Sequence, residues 1–208
     1  MNNPSRTIAL DLDSTLTASL DAVLEMLYDD GVADRRYTRT AVTDWYWGPD
    51  RFGLEPWVDA FAEIWRRDPL AVDPLERDVA RVVDDLHDHG VVDVVTAHAA
   101  DDAVTAGKRR WLEHHEIPYR EFVTADVSNI DGSKLAMGYD WYIDDHPELA
   151  ATAIDITTTD RARDAHTGTD AVHVFVRSQP YNIDAPGRYT RVETLSAVHP
   201  SAPTFTHA

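Results

Sequence analysis

Two short apolar runs, each closed by a pair of aspartates, constrain this chain more than any other feature. Thr7-Ile8-Ala9-Leu10 runs into Asp11-Leu12-Asp13, and Trp141-Tyr142-Ile143 runs into Asp144-Asp145. A short apolar run that stops at carboxylates reads as a buried parallel strand whose carboxyl end meets a polar site. Residues 91–97, 122–126 and 172–176 are further runs of this kind. Helical patterns separate them. Leu16, Leu20, Val23, Leu24 and Leu27 share one helical face. Leu75, Val79, Val82, Val83 and Leu86 share a second, with Gly90 as its C-terminal stop, and residues 100–115 form a third helix. Pro147 opens another. Strands alternating with helices imply βαβ units, hence an α/β fold with a Rossmann-like parallel sheet sandwiched by helices.

The texture changes between about residues 29 and 74. Gly31, Gly48, Pro49, Gly53, Pro56, Pro69 and Pro74 interrupt the periodicity, and four of the six Trp fall here. This predicts a small helical cap inserted after strand 1, over residues 18–74. The α/β core takes residues 1–17 and 75–199, and residues 200–208 read as a tail.

Composition narrows the function. The chain carries 37 acidic and 19 basic side chains, a formal charge of -18, and among the bases only Lys108 and Lys134 are lysines. Such a field repels a phosphate backbone, so nucleic acid is a poor partner. An Asp-rich, Lys-poor chain suits a salt-loaded cytosol, where screening mutes the self-repulsion, which points to a salt-adapted organism or its virus. With no cysteine there is no disulfide, thiolate metal site or Cys nucleophile. The first residues lack the pattern of a signal peptide, and no apolar run is long enough to span a membrane, so the expectation is a cytoplasmic protein with no membrane partner.

In open α/β sheets ligands bind beyond the carboxyl ends of the strands. That places Asp11, Asp13, Thr96, Asp144 and Asp145 along one edge. Any single aspartate there could merely cap a helix. Two separate pairs ending two apolar strands would repel each other unless a cation sat among them, and oxygen donors favour Mg²⁺ over zinc.

These residues resemble a known family. Ile8-Ala9-Leu10-Asp11-Leu12-Asp13-Ser14-Thr15-Leu16-Thr17 is similar to the first motif of haloacid dehalogenase-like phosphohydrolases, an apolar strand followed by Asp-x-Asp-x-Thr. Val94-Val95-Thr96 resembles the second motif, Lys134 the third and Ile143-Asp144-Asp145 the fourth, in that order. Residues 138–148 and Gln179-Pro180-Tyr181-Asn182 resemble the 5'(3')-deoxyribonucleotidase-like branch, which also carries a small helical cap. His98 departs from that branch, which often has Arg or Ser-Pro after the threonine.

The resemblance implies roles with physical reasons. Asp11 is the nucleophile that forms an aspartyl-phosphate. Asp13 protonates the leaving oxygen and later deprotonates water. Mg²⁺ is held by Asp11, the Asp13 carbonyl, Asp144 and its neighbour Asp145. Thr96, the adjoining backbone at Ala97, and Lys134 hold phosphoryl oxygens.

Lys134 stands out on composition alone, because a chain that has replaced nearly every lysine by arginine keeps one beside the Asp144 strand. Lys108 has no such context and reads as solvent-facing. Trp45 and Trp47, beside a Gly-Pro turn, are candidates for stacking a nucleobase, whereas Trp57, Phe61 and Ile64 have helical spacing and read as packing. His114-His115 reads as a helix C-terminus, and His146 as a capping or exposed residue ahead of the alternative that it supports the site beside Asp145.

The expected function is a Mg²⁺-dependent phosphomonoesterase on small phosphorylated substrates, nucleoside monophosphates first among them. The alternatives are another phosphorylated metabolite, a nucleic-acid 3' phosphate, or an idle relative that binds a phospho-ligand or a protein. A homodimer stays open.

Overall fold

The computed structural model describes residues 6–153, 172–199 and 205–207. Its centre is a seven-stranded sheet. The strands are β1 (Arg6–Leu10), β2 (Gly90–Ala97), β3 (Phe122–Ala125), β4 (Trp141–Asp144), β5 (His173–Arg177), β6 (Gly187–Val192) and β7 (Phe205–His207). Their order is β3-β2-β1-β4-β5-β6-β7, parallel except for β7, which pairs antiparallel with β6.

The central strands are apolar on both faces, as a sheet covered by helices requires. Successive residues divide between two cores. Ile8, Leu10, Val94, Ile143 and Phe175 enter one, while Ala9, Val95, Tyr142, Val174 and Val176 enter the other. The first core is covered by α1 (Ser19–Asp29), α4 (Val79–Leu86) and α5 (Asp102–His114), through Val23 and Leu27, Val82 and Val83, and Trp111 and Leu112. Of α5, the buried positions Val104, Gly107, Lys108, Trp111 and Leu112 make one continuous helical stripe.

The chain leaves β1 toward β2 and β3, then returns to the other side of β1 as β4. The carboxyl ends of β1 and β4 therefore flank a topological switch point, where such sheets open a crevice. Register fixes what faces it. Leu10 pairs with Ile143 and with Val94, and the Asp11 amide donates to the Ile143 carbonyl at 2.9 Å. Asp11, Asp144 and Thr96 thus reach the same edge.

Between α1 and α4 lie α2 (Trp47–Phe52) and α3 (Leu54–Arg67). The segment is helical, as the sequence suggests, and its last helix docks on the core. Gly107 of α5 abuts the Trp65 carbonyl of α3, so that a methyl group at Gly107 would overlap the Trp65 oxygen.

Four local expectations change. Helix α4 ends at Leu86 with His87 as its cap, and Gly90 opens β2, where a side chain would press on the Arg6 carbonyl. Residues 187–192 form a strand that sequence reading did not single out, because Arg188 and Arg191 interrupt its apolar residues. Residues 205–207, read as part of a tail, pair with that strand. After β4, helical conformation begins at Leu149, two residues past Pro147. Among the described residues no helix is long and apolar enough to cross a membrane.

Gly107→Ala tests the docking of α3 on α5. Alanine normally stabilises a helix interior over glycine by about 1 kcal/mol. Here the steric overlap should dominate and lower stability by about 1–3 kcal/mol, seen as a reduced midpoint in urea.

Candidate active site

The turn after β1 builds the site. The Leu12 carbonyl accepts the Leu16 and Thr17 amides at 3.0 and 3.1 Å and the Thr17 hydroxyl at 3.1 Å. Ser14 sits at φ 59°, and its amide donates to the Ser19 hydroxyl at 2.9 Å. With Leu12 fully buried as the anchor, Asp11 and Asp13 both line one cavity.

Asp11 belongs to a buried carboxylate group. One oxygen from each of Asp11, Asp144 and Asp145 lies within 4.8 Å of the other two. Lys134, on α6 (Ile130–Leu135), sits between them, its Nζ 2.7 Å from Asp11 Oδ1 and 2.6 Å from Asp144 Oδ2. Burial pushes the Asp11 carboxyl well above its ordinary value. The Lys134 charge works against that shift, and the neighbouring aspartates add to it. Burial also pushes Asp145 up, to about 7, assisted by the charge on Asp144. Burial alone would lower the Lys134 ammonium, yet Asp11 and Asp144 hold it above its ordinary value.

The segment after β5 supports this group from behind. The Tyr181 hydroxyl donates to Asp145 Oδ2, and the Thr15 hydroxyl donates to Asp145 Oδ1 at 3.3 Å. Asn182 Nδ2 donates to the Asp145 carbonyl at 2.8 Å, and Gln179 Nε2 to the Ser14 carbonyl at 2.6 Å. Gln179-Pro180-Tyr181-Asn182 therefore ties the two aspartate-bearing turns together.

Three buried carboxylates and one ammonium form an oxygen-rich set with surplus negative charge. It suits a hard cation. The Asp13 side chain is absent from this group. Its Oδ1 accepts the Trp65 indole N–H at 2.9 Å, while its Oδ2 accepts Lys108 Nζ at 2.6 Å and the Thr96 hydroxyl at 3.4 Å. Only the Asp13 main-chain carbonyl is left for a metal.

Lys108 corrects an expectation. It is 1% exposed, not solvent-facing, and its Nζ also reaches Thr96 Oγ1 at 2.8 Å. The signal was in the sequence. Lys108 lies on the helical stripe of Val104, Trp111 and Leu112, and it is one of only two lysines. Trp65, one of the four Trp of the inserted segment, is a second residue that the sequence does not single out, since nothing in its spacing says that its indole meets Asp13.

His146 is also buried. Its amide donates to Asp144 Oδ1 at 2.9 Å, and its ring packs edge-on against Trp45 with centroids 4.4 Å apart. It neither caps a helix nor faces solvent. His98 Nε2 lies 3.0 Å from the Thr105 hydroxyl, and burial with the nearby Lys108 charge lowers its pKa to about 4. His115 does end α5, as expected.

The cavity above these groups is about 400 Å³. Asp11, Asp13, Thr96, Ala97, Lys108, Lys134, Asp144 and Asp145 all line it, with Leu54, Trp57, Val58 and Phe61 from α3 as apolar wall. Trp45 lines it too and touches Tyr181, with ring centroids 5.6 Å apart. Trp47 does not. It opens α2 and packs edge-on against Tyr37, Phe52 and Trp57 in the insertion's own aromatic cluster; Gly48 and Pro49, expected to form a turn, lie within that helix. Trp57 and Phe61 join the packing, as their spacing suggested, and also line the wall.

No family model and no curated protein matches this sequence. Solved structures do share its fold. A protein from Burkholderia xenovorans LB400, described as a haloacid dehalogenase-like hydrolase, superposes with a TM-score of 0.51 at 12% identity, covering 93% of this chain and 94% of its own. Protein tyrosine kinase A from Mycobacterium tuberculosis superposes with a TM-score of 0.50 at 16% identity, over 100% of this chain and 94% of its own. The fold of the chain is the haloacid dehalogenase-like α/β fold.

Lys134→Met tests the charge balance. It leaves Asp11, Asp144 and Asp145 without their buried partner, and urea unfolding at neutral pH should show a loss of about 3–5 kcal/mol. Adding Asp144→Asn should return part of that loss.

Proposed function

We propose that the chain is a phosphohydrolase that passes the phosphoryl group of a small monoester first to Asp11 and then to water. The observation that carries this reading is the separation of two carboxylates on one turn. Asp11 lies in the group that surrounds Lys134, whereas Asp13 is held apart by Lys108 and Trp65. Such a division suits one carboxylate for bonding to phosphorus and the other for proton transfer.

In the first half of the reaction an Asp11 oxygen attacks phosphorus, the bond to the leaving oxygen breaks, and Asp13 delivers its proton to that oxygen. In the second half Asp13 takes a proton from water, whose oxygen attacks the phosphorus of the aspartyl-phosphate and returns Asp11 as a carboxylate. Thr96 and Lys134 hold the phosphoryl oxygens, and the apolar wall keeps bulk water from the leaving group. Asp11, Asp144, Asp145 and the Asp13 carbonyl would hold Mg²⁺. Bound there, it supplies charge neutralisation for the phosphoryl group. A kinase shares this fold, so the fold alone leaves the phosphoryl acceptor open. The paired aspartates and the cavity support water as the acceptor.

Trp45 and the α3 wall favour a flat apolar leaving group, for which a nucleoside monophosphate is our first candidate. The excess of acidic residues supports a working environment of high salt, in the cytoplasm of a salt-adapted cell.

Phosphate release from nucleoside and sugar monophosphates, measured in molar KCl with Mg²⁺, tests the reading. Asp11→Asn should lower kcat by more than about a thousand-fold with the fold intact. Activity equal to the parent enzyme would refute the nucleophile assignment. Trp45→Ala should raise KM for nucleotides about ten-fold, in keeping with the loss of one stacking contact, while Trp47→Ala should act on stability and leave KM unchanged.

A further inference from the structure

We propose that Lys108 is a phosphoryl-binding residue, a second cation on the transferring group beside Lys134. The proposal rests on the phosphohydrolase reading and adds to it a residue outside the motifs that suggested it.

The chain has 19 basic side chains, and the two that are lysines both end in this cavity, 1% and 3% exposed. Every other basic side chain is arginine. An ammonium is a compact point donor, whereas a guanidinium is a planar fork that needs more room. Two buried positions in one cavity that require the compact donor indicate a shared task.

Geometry names the task. Lys108 Nζ lies 2.6 Å from Asp13 Oδ2 and 2.8 Å from Thr96 Oγ1. An ammonium has three N–H donors, so two are taken and one is left for an acceptor in the cavity that Lys108 lines. A phosphoryl oxygen that accepts the Thr96 hydroxyl comes within reach of the ammonium beside it. Placement is rigid, because the preceding residue, Gly107, is pressed against the Trp65 carbonyl, and the Trp65 ring centroid lies 5.8 Å from Nζ.

A purely structural role fits poorly. Its neighbours on the buried stripe, Val104, Trp111 and Leu112, are apolar. Another apolar side chain would fill that stripe without the cost of desolvating a charge.

The test is a calorimetric titration of inorganic phosphate into the Mg²⁺-loaded protein, which needs no turnover. Lys108→Met should weaken phosphate binding about 10- to 100-fold, the loss of one charge-assisted hydrogen bond. Lys108→Cys guards against a folding defect. The chain has no cysteine of its own, so alkylation with 2-bromoethylamine is confined to the new thiol and rebuilds an ammonium at nearly the length of lysine. That treatment should restore phosphate affinity, and iodoacetamide should not. The proposal is overturned if the parent protein binds no phosphate, if Lys108→Met binds it as tightly as the parent, or if the two alkylated forms bind it equally. The two readings separate cleanly. Weakened binding in Lys108→Met, in a protein that releases no phosphate from any monoester, supports the site and refutes the hydrolase. Active enzyme with unaltered phosphate binding in Lys108→Met does the reverse.

Discussion

Four aspartates gathered at one sheet edge are the constraint on which the rest of this structure depends. Asp11, Asp13, Asp144 and Asp145 would repel one another in a buried crevice, and among the described residues two ammonium groups pair with them. The solution is a division of labour. Lys134 joins Asp11 to Asp144, while Lys108 holds Asp13 with help from the Trp65 indole. The set keeps surplus negative charge; burial first, and then the neighbouring carboxylates, raise the proton affinity of Asp11 and Asp145 against the opposing charge of Lys134. In the reading proposed above, a hard cation would offset that surplus.

The architecture places this charge where backbone geometry demands it. Parallel pairing of β1 with both β2 and β4 sets Asp11 beside Asp144 and leaves Thr96 at the next strand's end. The inserted helices contribute more than a wall. Trp65 reaches from α3 to Asp13, and α3 is seated against α5 at Gly107, adjacent to Lys108. Asp13 is thus held jointly by insertion and core. The segment after β5 plays a similar part for Asp145 through Tyr181 and Asn182.

Much of this was legible in the sequence, for identifiable reasons. Buried parallel strands are continuous apolar runs, so β1, β2 and β4 stood out, and carboxylates ending them are costly enough to draw notice. The composition argument that singled out Lys134 applied equally to Lys108. Arg109 and Arg110 beside it make the helix look polar and mask its place. The stripe through Val104, Trp111 and Leu112 carried the correct answer. β6 was hidden because Arg188 and Arg191 interrupt its pattern, and its pairing with residues 205–207 is a long-range fact. Trp45 and Trp47 are two residues apart and part company where α2 begins at Trp47, a distinction no local pattern encodes. The Asp13 side chain meets Lys108 and Trp65, partners that no local pattern names, since side-chain direction after a tight turn depends on which partner the fold supplies.

The central claim is that Asp11 itself bonds to phosphorus. It is tested most directly by acid quenching the enzyme during turnover and locating the phosphoryl adduct by peptide mass spectrometry, with Asp13→Asn used to slow its breakdown. The account predicts a hydroxylamine-labile adduct on Asp11 and none in Asp11→Asn. An adduct on any other residue, or steady phosphate release by Asp11→Asn, would contradict it.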